Sequence, residues 1–446
     1  MRRSRRAVLD ATVAVSLAGC VTTPDGSTDG SSPSETVDGP LAPAGVQFAF
    51  AGVDARGSRV LDGVGDVATG AETQIPTRGT PRWLVGHPAV GRSPTASVWT
   101  VVAENGRART HHVGDGVRLV AEHGRVHTPP VGWRASDRDA QADAVARTDT
   151  DVRDGSVGVV TPPPALAPHT HPVPTRRGWL FVAGDGRLVH RHDAGRVSFD
   201  IDAPPDARPV PVGGGRYAVY GGATGRYRHG ALGDSVEASR LLVVDTAAEQ
   251  VVVDHSLERS VFEGFAPLPV EIGGVSGLLT TVADAREGAR LRLYDTDGDP
   301  RATGPVYGSG WRHRLCVADF GAGREVAVLR KPHVDRTVEF YRFDDGELRV
   351  TARRAGYSTH TYDSRVLDGA LAGDLDADGT VELLLPRTSR ERLDAIRRSG
   401  DDSTRAVWSL PLGGRLTTNV AGVSTGEGVA VAAGTADGVR VWHGPG

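Results

Sequence analysis

The feature that most constrains the fold is a short loop followed by an apolar run, a unit that occurs three times in the second half of the chain. The copies begin near Val270, Ala318 and Asp374, so the interval between them is roughly 50 residues. That interval is the size of one four-stranded blade of a β-propeller. The repeat therefore predicts an all-β fold, a β-propeller of about seven four-stranded antiparallel blades.

Turn residues extend this interpretation along the chain. Alternating apolar runs are followed by Asn-Gly or Asp-Gly, as at Asn105-Gly106, Asp185-Gly186 and Asp345-Gly346, and these dipeptides favour tight β-hairpins. Many short strands at even spacing also suit a pair of large sandwiches, but the regular interval favours the propeller. The predicted blades lie at 76–127, 158–204, 206–258, 262–303, 310–354, 363–410 and 414–443.

The last predicted blade is short by one strand. The strand-like segment 46–51 is predicted to complete it, so that an N-terminal strand closes the ring. Closure removes the exposed strand edges that invite aggregation. The propeller domain is therefore placed at 45–446, with a polar, Asp- and Arg-rich surface insertion at about 131–156.

The third copy of the unit has the residue types of a calcium loop. Asp374, Asp376 and Asp378 alternate, so a curled loop directs their carboxylates to one centre, and Gly379 allows a sharp turn. Hard oxygen ligands suit Ca²⁺, which accepts about six to eight of them. The predicted metal ligands are Asp374, Asp376, Asp378, the backbone carbonyl of Thr380, and Glu382, directly or through water.

One calcium ion is predicted, in a loop that enters a β-strand. An EF-hand would carry a bidentate Glu at the position of Leu385. The first two copies have lost most of their carboxylates, and the acidic segment 295–300 has Pro300 where the turn glycine should be, so it is interpreted as a hairpin tip. The alternative for the third copy is an Asp/Gly-rich turn that binds no metal.

The segment 374–385 resembles the FG-GAP/VCBS-type repeat, whose pattern is D-x-D-x-D-G followed by a hydrophobic strand. The resemblance covers one repeat well and its neighbours in degraded form. It implies a propeller blade with a calcium-bound loop near the start of its strands. Propellers of this type are binding platforms, adhesins and, less often, enzymes, so the resemblance leaves the function open.

The first 44 residues are predicted to lie outside the folded domain. Residues 1–20 are interpreted as a lipoprotein signal peptide, because Arg5-Arg6 lies in a twin-arginine-type export motif and Leu17-Ala18-Gly19-Cys20 resembles a lipobox that is lipidated on Cys20. Residues 21–44 are rich in Ser, Thr, Pro, Gly and Asp and are predicted to be a disordered tether. Together they predict a lipid-anchored protein on the extracellular face of the cytoplasmic membrane.

The composition limits the classes of partner that can be predicted. The formal net charge of −4 gives no basis for nucleic-acid binding.

The cysteine and lysine contents are also informative. Besides Cys20 the only cysteine is Cys316, in an apolar run, so a buried thiol and no intradomain disulfide are expected. Lys331 is the only lysine among 51 basic residues, and this usage with abundant Asp resembles exported proteins of halophilic archaea. The domain is expected to be a monomer.

Polar segments precede the innermost strand of several predicted blades, and such segments converge on one face of a propeller. His, Arg, Glu and aromatic side chains gathered there suit an anionic or carbohydrate ligand. The predicted ligand-funnel residues are His169, His171, Glu263, Trp311, Arg312, His313, His360, Arg365 and Arg415.

These residues also have structural interpretations. His169 and His171 share one face of a strand but have no third metal ligand, which favours hydrogen-bonded channel histidines. The arginines either hold a carboxylate or sulfate, or pair with channel acids such as Glu263. Trp311 either stacks on a sugar ring or packs between blades.

The predicted function is that of an exported cell-surface binding module for a protein or glycan partner. The chief alternative is an enzyme acting on polysaccharide, for example a lyase, with the His/Arg/Glu funnel as its active site. A third possibility is a purely structural envelope protein. We identify no nucleophile elbow at a strand-to-helix turn, no phosphate-binding loop and no zinc motif. No catalytic residue is therefore nominated.

Overall fold

The structure is a computed structural model that describes residues 60–89, 95–125, 166–167, 170, 172–192, 194–227, 235–362, 364, 366–400 and 402–446. These residues form 29 β-strands, and among them no helix is long and apolar enough to cross a bilayer. The predicted signal peptide with Cys20, the tether and the insertion lie outside the described residues. So do His169, His171 and Arg365.

The chain begins its described part with β1 (Val60–Val64) and β2 (Ala71–Ile75). By antiparallel pairing, all described strands except β1 can be divided into seven groups of four, called blades 1 to 7 below. Single residue pairs, Ala238–Phe262 and Thr303–Glu347, join blades 3 to 5 into one 12-stranded sheet. Blade 1 contains β3 (Pro81–Pro88), β4 (Ser97–Ala103), β5 (Arg107–Val113) and β6 (Val117–Arg125). Blade 2 contains β7 (Val173–Thr175), β8 (Gly178–Val182), β9 (Leu188–His192) and β10 (Gly195–Phe199).

Blades 3 to 5 follow without a break in the order of the strands. Blade 3 contains β11 (Val210–Gly213), β12 (Arg216–Thr224), β13 (Glu237–Asp245) and β14 (Gln250–Ser256). Blade 4 contains β15 (Val261–Ile272), β16 (Val275–Asp284), β17 (Gly288–Asp295) and β18 (Pro300–Thr303). Blade 5 contains β19 (Arg312–Asp319), β20 (Arg324–Arg330), β21 (Thr337–Asp344) and β22 (Glu347–Ala355).

The last two blades carry the C-terminal strands. Blade 6 contains β23 (Leu371–Asp374), β24 (Glu382–Pro386), β25 (Arg392–Arg398) and β26 (Thr404–Pro411). Blade 7 contains β27 (Val420–Thr425), β28 (Gly428–Thr435) and β29 (Gly438–Pro445), and takes β2 as its fourth strand. The all-β propeller predicted from the repeat is confirmed.

An N-terminal strand closes the ring, as predicted, but it is not the predicted one. β2 pairs antiparallel with β29, with Ala71 opposite His443 and Ile75 opposite Val439. Residues 46–51 lie outside the described residues, and the place beside β29 that they were predicted to fill is taken by β2. The sequence analysis did not predict β2, because an outermost strand is largely exposed and lacks an apolar pattern. The sequence of β2 is Ala-Glu-Thr-Gln-Ile.

β1 adds a strand to the inner edge of blade 6. It runs parallel to β23, with Val60 opposite Ala372 and Val64 opposite Asp374. Val60 shares an apolar cluster with residues of β19, and Leu61 shares one with residues of β23 and β27. The inner strands of blades 5 to 7 therefore pack on β1, which the sequence did not predict.

The core lies between neighbouring blades. Inner strands such as β4 and β24 are buried at every position because a blade covers each side, whereas the outer strands β14 and β26 are largely exposed. Leu384, Leu393, Leu412 and Trp442 form part of the cluster shared by blades 6 and 7. Each such side chain contributes about 1.5–3 kcal/mol of transfer free energy. Cys316 is buried between blades 5 and 6, as predicted.

The loops of an antiparallel blade alternate between its two ends. We call the end at which each innermost strand begins the upper face, and the opposite end the lower face. The β18–β19, β20–β21 and β22–β23 loops lie on the upper face, whereas the β23–β24 loop lies on the lower face. The Asp-rich loop and the predicted funnel segments are therefore on opposite faces of the propeller.

Candidate calcium loop and upper-face cluster

The Asp-rich loop connects β23 to β24. Asp374 is the last residue of β23 and Glu382 is the first of β24, and Glu382 is paired with Gly373 across the hairpin. The loop turns through Ala377 and Gly379, whose φ angles of 57° and 88° lie in the left-handed region. Glycine adopts this conformation at little cost, so the turn explains the glycine at position 379.

Three of the predicted metal ligands converge. One carboxylate oxygen from each of Asp374, Asp376 and Glu382 lies within 4.8 Å of the others. The Oδ1 atoms of Asp374 and Asp376 are buried and accept no hydrogen bond of good geometry among the described residues, although the indole N–H of Trp408 is close enough to Asp376 to favour its ionised form. A buried carboxylate oxygen without a donor is costly, and a hard divalent cation satisfies such oxygens. The donor set therefore fits Ca²⁺.

Asp378 and Thr380 lie on the solvent side of the loop. The Asp378 side chain is 41% exposed and does not belong to the converging trio. Its Oδ1 accepts a hydrogen bond from the backbone N of Thr380 at 3.0 Å. Coordination by Asp378 and by the Thr380 carbonyl stays a prediction.

Arg397 on β25 completes the site, and the sequence analysis missed it. Its Nη2 donates to Asp376 Oδ2 at 2.6 Å and to Glu382 Oε1 at 2.5 Å, while its Nη1 donates to Asp378. One cation thus faces three carboxylates, with that of Asp374 close by. The loop keeps a surplus of negative charge, which a divalent ion would neutralise.

The carboxylates of the loop differ in how far their environment favours ionisation. Burial raises the pKa of Glu382 to about 7, although hydrogen bonds from Leu375 and Arg397 oppose it. Burial also raises the pKa of Asp376, against the attraction of Arg397. Burial acts in the same direction on Asp378, but hydrogen bonds from Thr380 and Arg397 outweigh it and lower the pKa. The two inner carboxylates therefore gain most from a bound cation.

The Glu–Arg pair is a feature of the repeat. Glu382 and Arg397 lie one position beyond the Leu383–Ile396 pair of blade 6, and Glu325 and Arg342 lie one position beyond the Val326–Tyr341 pair of blade 5. Arg342 Nη2 donates to Glu325 Oε1 at 2.9 Å, although the blade 5 loop lacks most of the carboxylates. An alignment of these two copies would have located the arginine, because both contain Glu followed by Arg on the next strand.

The described funnel residues occupy the upper ends of blades 4 to 6, but most of them are buried. No more than 6% of the surface of any of these five is exposed: Glu263, Trp311, Arg312, His313 and His360. Arg415, by contrast, is exposed. The five buried side chains therefore do not line an open funnel.

The structure brings three of them together. The ring centroids of Trp311 and His313 are 4.7 Å apart, and each lies 5.6 Å from that of His360. His333 joins the cluster at 4.8 Å from His360. Burial lowers the pKa of His360, and the neighbouring His333 adds to the effect. The ring of His360 is therefore neutral at neutral pH.

Other funnel residues lie apart from this cluster. Glu263 is on β15 of blade 4, and Arg312 points to the other side of blade 5 from His313, because successive strand residues alternate. Arg415 lies near Arg390, a half-buried residue of the β24–β25 loop that the sequence analysis missed. Burial lowers the pKa of the Arg390 guanidinium, and the charge of Arg415 adds to this.

No family model matches the sequence, and no curated protein matches it either. Among solved structures, the chain is similar to BBS1N, crystallised in complex with ARL6DN (11% identity, 85% of this chain and 96% of that chain covered, TM-score 0.41). It is also similar to Saccharomyces cerevisiae Sqt1, with 7% identity, 86% of this chain and 100% of that chain covered, and a TM-score of 0.49. For the WD40 β-propeller domain of Doa1 the identity is 11%, 83% of this chain and 95% of that chain are covered, and the TM-score is 0.39. These are likenesses of fold alone.

Proposed function

We propose that the protein is an exported, lipid-anchored cell-surface module that binds a protein or glycan partner through the loops of its upper face. The observation that carries this proposal is the position of its exposed apolar side chains. Among the described residues, three of the six exposed large hydrophobic side chains lie in the upper-face loops around blade 5. They are Val306, Val334 and Tyr362, which are 38%, 76% and 57% exposed.

The loops that carry these side chains contact one another. The ring of His333, next to Val334, lies 5.4 Å from that of Tyr362, and the backbone N of Lys331 donates to the carbonyl of Trp311 at 2.8 Å. Exposed apolar side chains rimmed by polar residues mark interaction sites. Tyrosine is among the residues that contribute most to binding energy.

The burial of the described funnel residues supports binding over catalysis at this face. A general acid or base must reach the proton that it transfers. His313, His360 and Glu263 are at most 6% exposed, so a polysaccharide has no access to them in this structure. The exposed loop surface is the part of the upper face that a partner can contact.

On the lower face we propose one structural Ca²⁺, held by Asp374, Asp376 and Glu382. The ion would neutralise the carboxylates that Arg397 balances only in part. Bound there, it would tie the end of β23 to the start of β24. This role is structural, and it lies on the face opposite the proposed binding surface.

A cell-binding experiment tests the proposed surface. Purified wild type, V334S/Y362S and L119S/V251S are labelled and added to cells of the source strain that lack the protein. Leu119 and Val251 are 47% and 39% exposed on blades 1 and 3, so this pair also removes exposed apolar surface, but away from the upper-face loops. We expect at least tenfold weaker binding for V334S/Y362S alone. Equal binding by all three proteins would refute the upper-face surface.

A further inference from the structure

One arginine of the upper face is buried with three of its five N–H donors on atoms that make no hydrogen bond of good geometry among the described residues. Arg312 is 0% exposed. Its Nη1 donates to the carbonyl of Gly310 at 3.1 Å, whereas its Nε and Nη2 make no hydrogen bond of good geometry among the described residues. The hydroxyl of Tyr341 lies close to the guanidinium, since Arg312 opposes the rise in the pKa of Tyr341 that burial causes. Burying a guanidinium without satisfying its donors is unfavourable, as it is for any unpaired buried ion.

The two unused atoms form one edge of the guanidinium, and elsewhere in the chain this edge holds carboxylates. Arg240 presents Nε and Nη2 to the two oxygens of Asp254, at 3.0 and 2.6 Å. Arg398 presents the same edge to Glu325, at 2.8 and 3.1 Å. Two parallel N–H groups match the two oxygens of a carboxylate. The edge of Arg312 has the geometry for a ligand of this kind.

The surroundings of Arg312 carry a surplus of positive charge. The guanidinium carbons of Arg312, Arg330 and Arg353 lie 5.3, 5.2 and 5.2 Å from the ring centroid of Tyr307. Glu339 accepts hydrogen bonds from Arg330 at 2.8 Å and from Arg353 at 3.0 Å. It is also the acceptor for the hydroxyl of a buried tyrosine on the same strand.

The other charged groups nearby reduce this surplus without removing it. Asp335 lies 3.1 Å from Arg330 Nε and 3.8 Å from Lys331 Nζ. Four basic side chains, those of Arg312, Arg330, Arg353 and Lys331, thus stand against the carboxylates of Glu339 and Asp335. Arg314 and Glu263, which both lie beside Thr281 next to Arg312, add one charge of each sign, so the basic groups exceed the acidic ones by two. None of the acidic oxygens is bonded to the Nε–Nη2 edge of Arg312.

We propose that Arg312, with Arg330, Arg353 and Tyr307, forms a binding site for a carboxylate group at the upper end of the junction between blades 4 and 5. The proposal rests on the proposed function and names the chemical group that the upper face recognises. Arg353, whose side chain is 46% exposed, and the half-buried ring of Tyr307 form the side of this site that faces solvent.

Acetate tests for binding of a carboxylate group, whatever larger molecule carries it. Wild type, R312M, R312K and R240M are titrated with sodium acetate at constant ionic strength, with chloride as the balancing anion, and binding is followed by calorimetry and thermal unfolding. We expect saturable binding by wild type and R240M. R312M removes the positive charge, and R312K keeps the charge but removes the paired N–H groups of Nε and Nη2. Both variants should therefore bind acetate at least tenfold more weakly than wild type. If R312M does not fold, R312K carries the test.

The source of the carboxylate is distinguished by two further probes. Tighter binding of glucuronate than of acetate, with no effect of glucose, indicates an acidic glycan; tighter binding of N-acetylglutamate indicates an acidic peptide. Acetate binding by wild type no stronger than that of chloride, or equal binding by R312M, would overturn the site. Such a result would leave the proposed function untouched if cell binding still depended on Val334 and Tyr362. The carboxylate site and the upper-face binding surface can therefore be refuted independently.

Discussion

Glu382 and Arg397 face each other across β24 and β25, joined by hydrogen bonds of 2.9 and 2.5 Å to a single carboxylate oxygen. The same guanidinium bonds to Asp376 and Asp378. A protein cation therefore already holds part of the proposed calcium loop together. The ion and the arginine share these carboxylates, which makes the effect of each one depend on the other.

The loop also holds the N-terminal part of the described chain in place. The backbone N of Gly65 donates to the carbonyl of Asp374 at 3.1 Å, and that of Val67 donates to Leu375 at 2.8 Å. These bonds continue the pairing of β1 with β23. Ordering of the loop by calcium is therefore expected to reach the strand that packs against the inner edges of blades 5 to 7.

Replacing Asp376 by Ala should abolish stabilisation by calcium. The carboxylate supplies one of the three converging oxygens, and an ion present at about 100 times its Kd stabilises a fold by about 2.7 kcal/mol. The free energy of unfolding, measured with calcium and with chelator, gives the difference directly. D297A is the matched control, since Asp297 lies in the acidic hairpin tip between β17 and β18; its calcium response should equal that of wild type. A full calcium response in D376A would rule out the loop as the site.

Replacing Arg397 by Met should make the fold more dependent on calcium. Without the guanidinium the carboxylates repel one another, so we expect a loss of about 3 kcal/mol in chelator and a larger gain on adding calcium than in wild type. Unfolding in urea with and without calcium measures both. R342M is the control, because Arg342 pairs with Glu325 in a blade whose loop lacks the carboxylates. If R397M and R342M respond alike to calcium, the guanidinium does not compete with an ion.

Replacing Gly70 by Ala should weaken closure of the ring. A Cβ at position 70 would lie 1.9 Å from the carbonyl oxygen of His443, so β29 and the chain before β2 would have to separate. We expect a loss of more than about 2 kcal/mol in unfolding free energy. In G116A the added Cβ meets nothing within 4 Å, and its stability should stay near that of wild type. A G70A protein as stable as G116A would show that this contact does not limit closure.

The stability of blade 2 should depend on pH through His190. Burial lowers its pKa from 6.5 to about 4, and the charges of His192 and Arg177 add to this. Between these values the unfolded chain binds more protons, so stability rises with pH and is lost as the pH falls from 6.5 towards 4.

Comparison with H190Q isolates this contribution. Gln keeps a partner for Thr175 Oγ1, which lies 3.0 Å from His190 Nε2, but does not titrate. From pH 7 to pH 4.5 wild type should lose about 2 kcal/mol more than H190Q. Groups with shifts of the opposite sign, such as Glu382, cancel in the difference. Parallel pH profiles of the two proteins would contradict the shift.

Replacing Cys20 by Ser should release the protein from membranes. A lipid chain requires the thiol, and a soluble tether has no other means of partitioning into a bilayer. Fractionation of cells followed by blotting measures the share in the medium. Cys316→Ala, at the buried cysteine, should stay in the membrane fraction. Retention of the C20S protein at wild-type levels would exclude this anchor.

The sequence by itself determined the repeating unit and therefore the fold class. Spacing and turn residues are local properties, so the antiparallel blades could be predicted from the periodic pattern, and the Asp-rich loop from the spacing of Asp374, Asp376 and Asp378. Glu382 also belonged to that pattern, since it begins the following strand.

Only the tertiary structure decided which distant residues meet. Arg397 reaches the loop from the next strand, β2 closes the ring without an apolar pattern, and β1 packs on the inner strands of blades 5 to 7. The predicted funnel depended on burial, which the sequence does not show. Trp311, His313 and His360 lie in segments that are polar in sequence, yet their rings are buried and pack against one another. Pairing between strands far apart in the chain depends on register and burial in the folded state, and neither is encoded in local spacing.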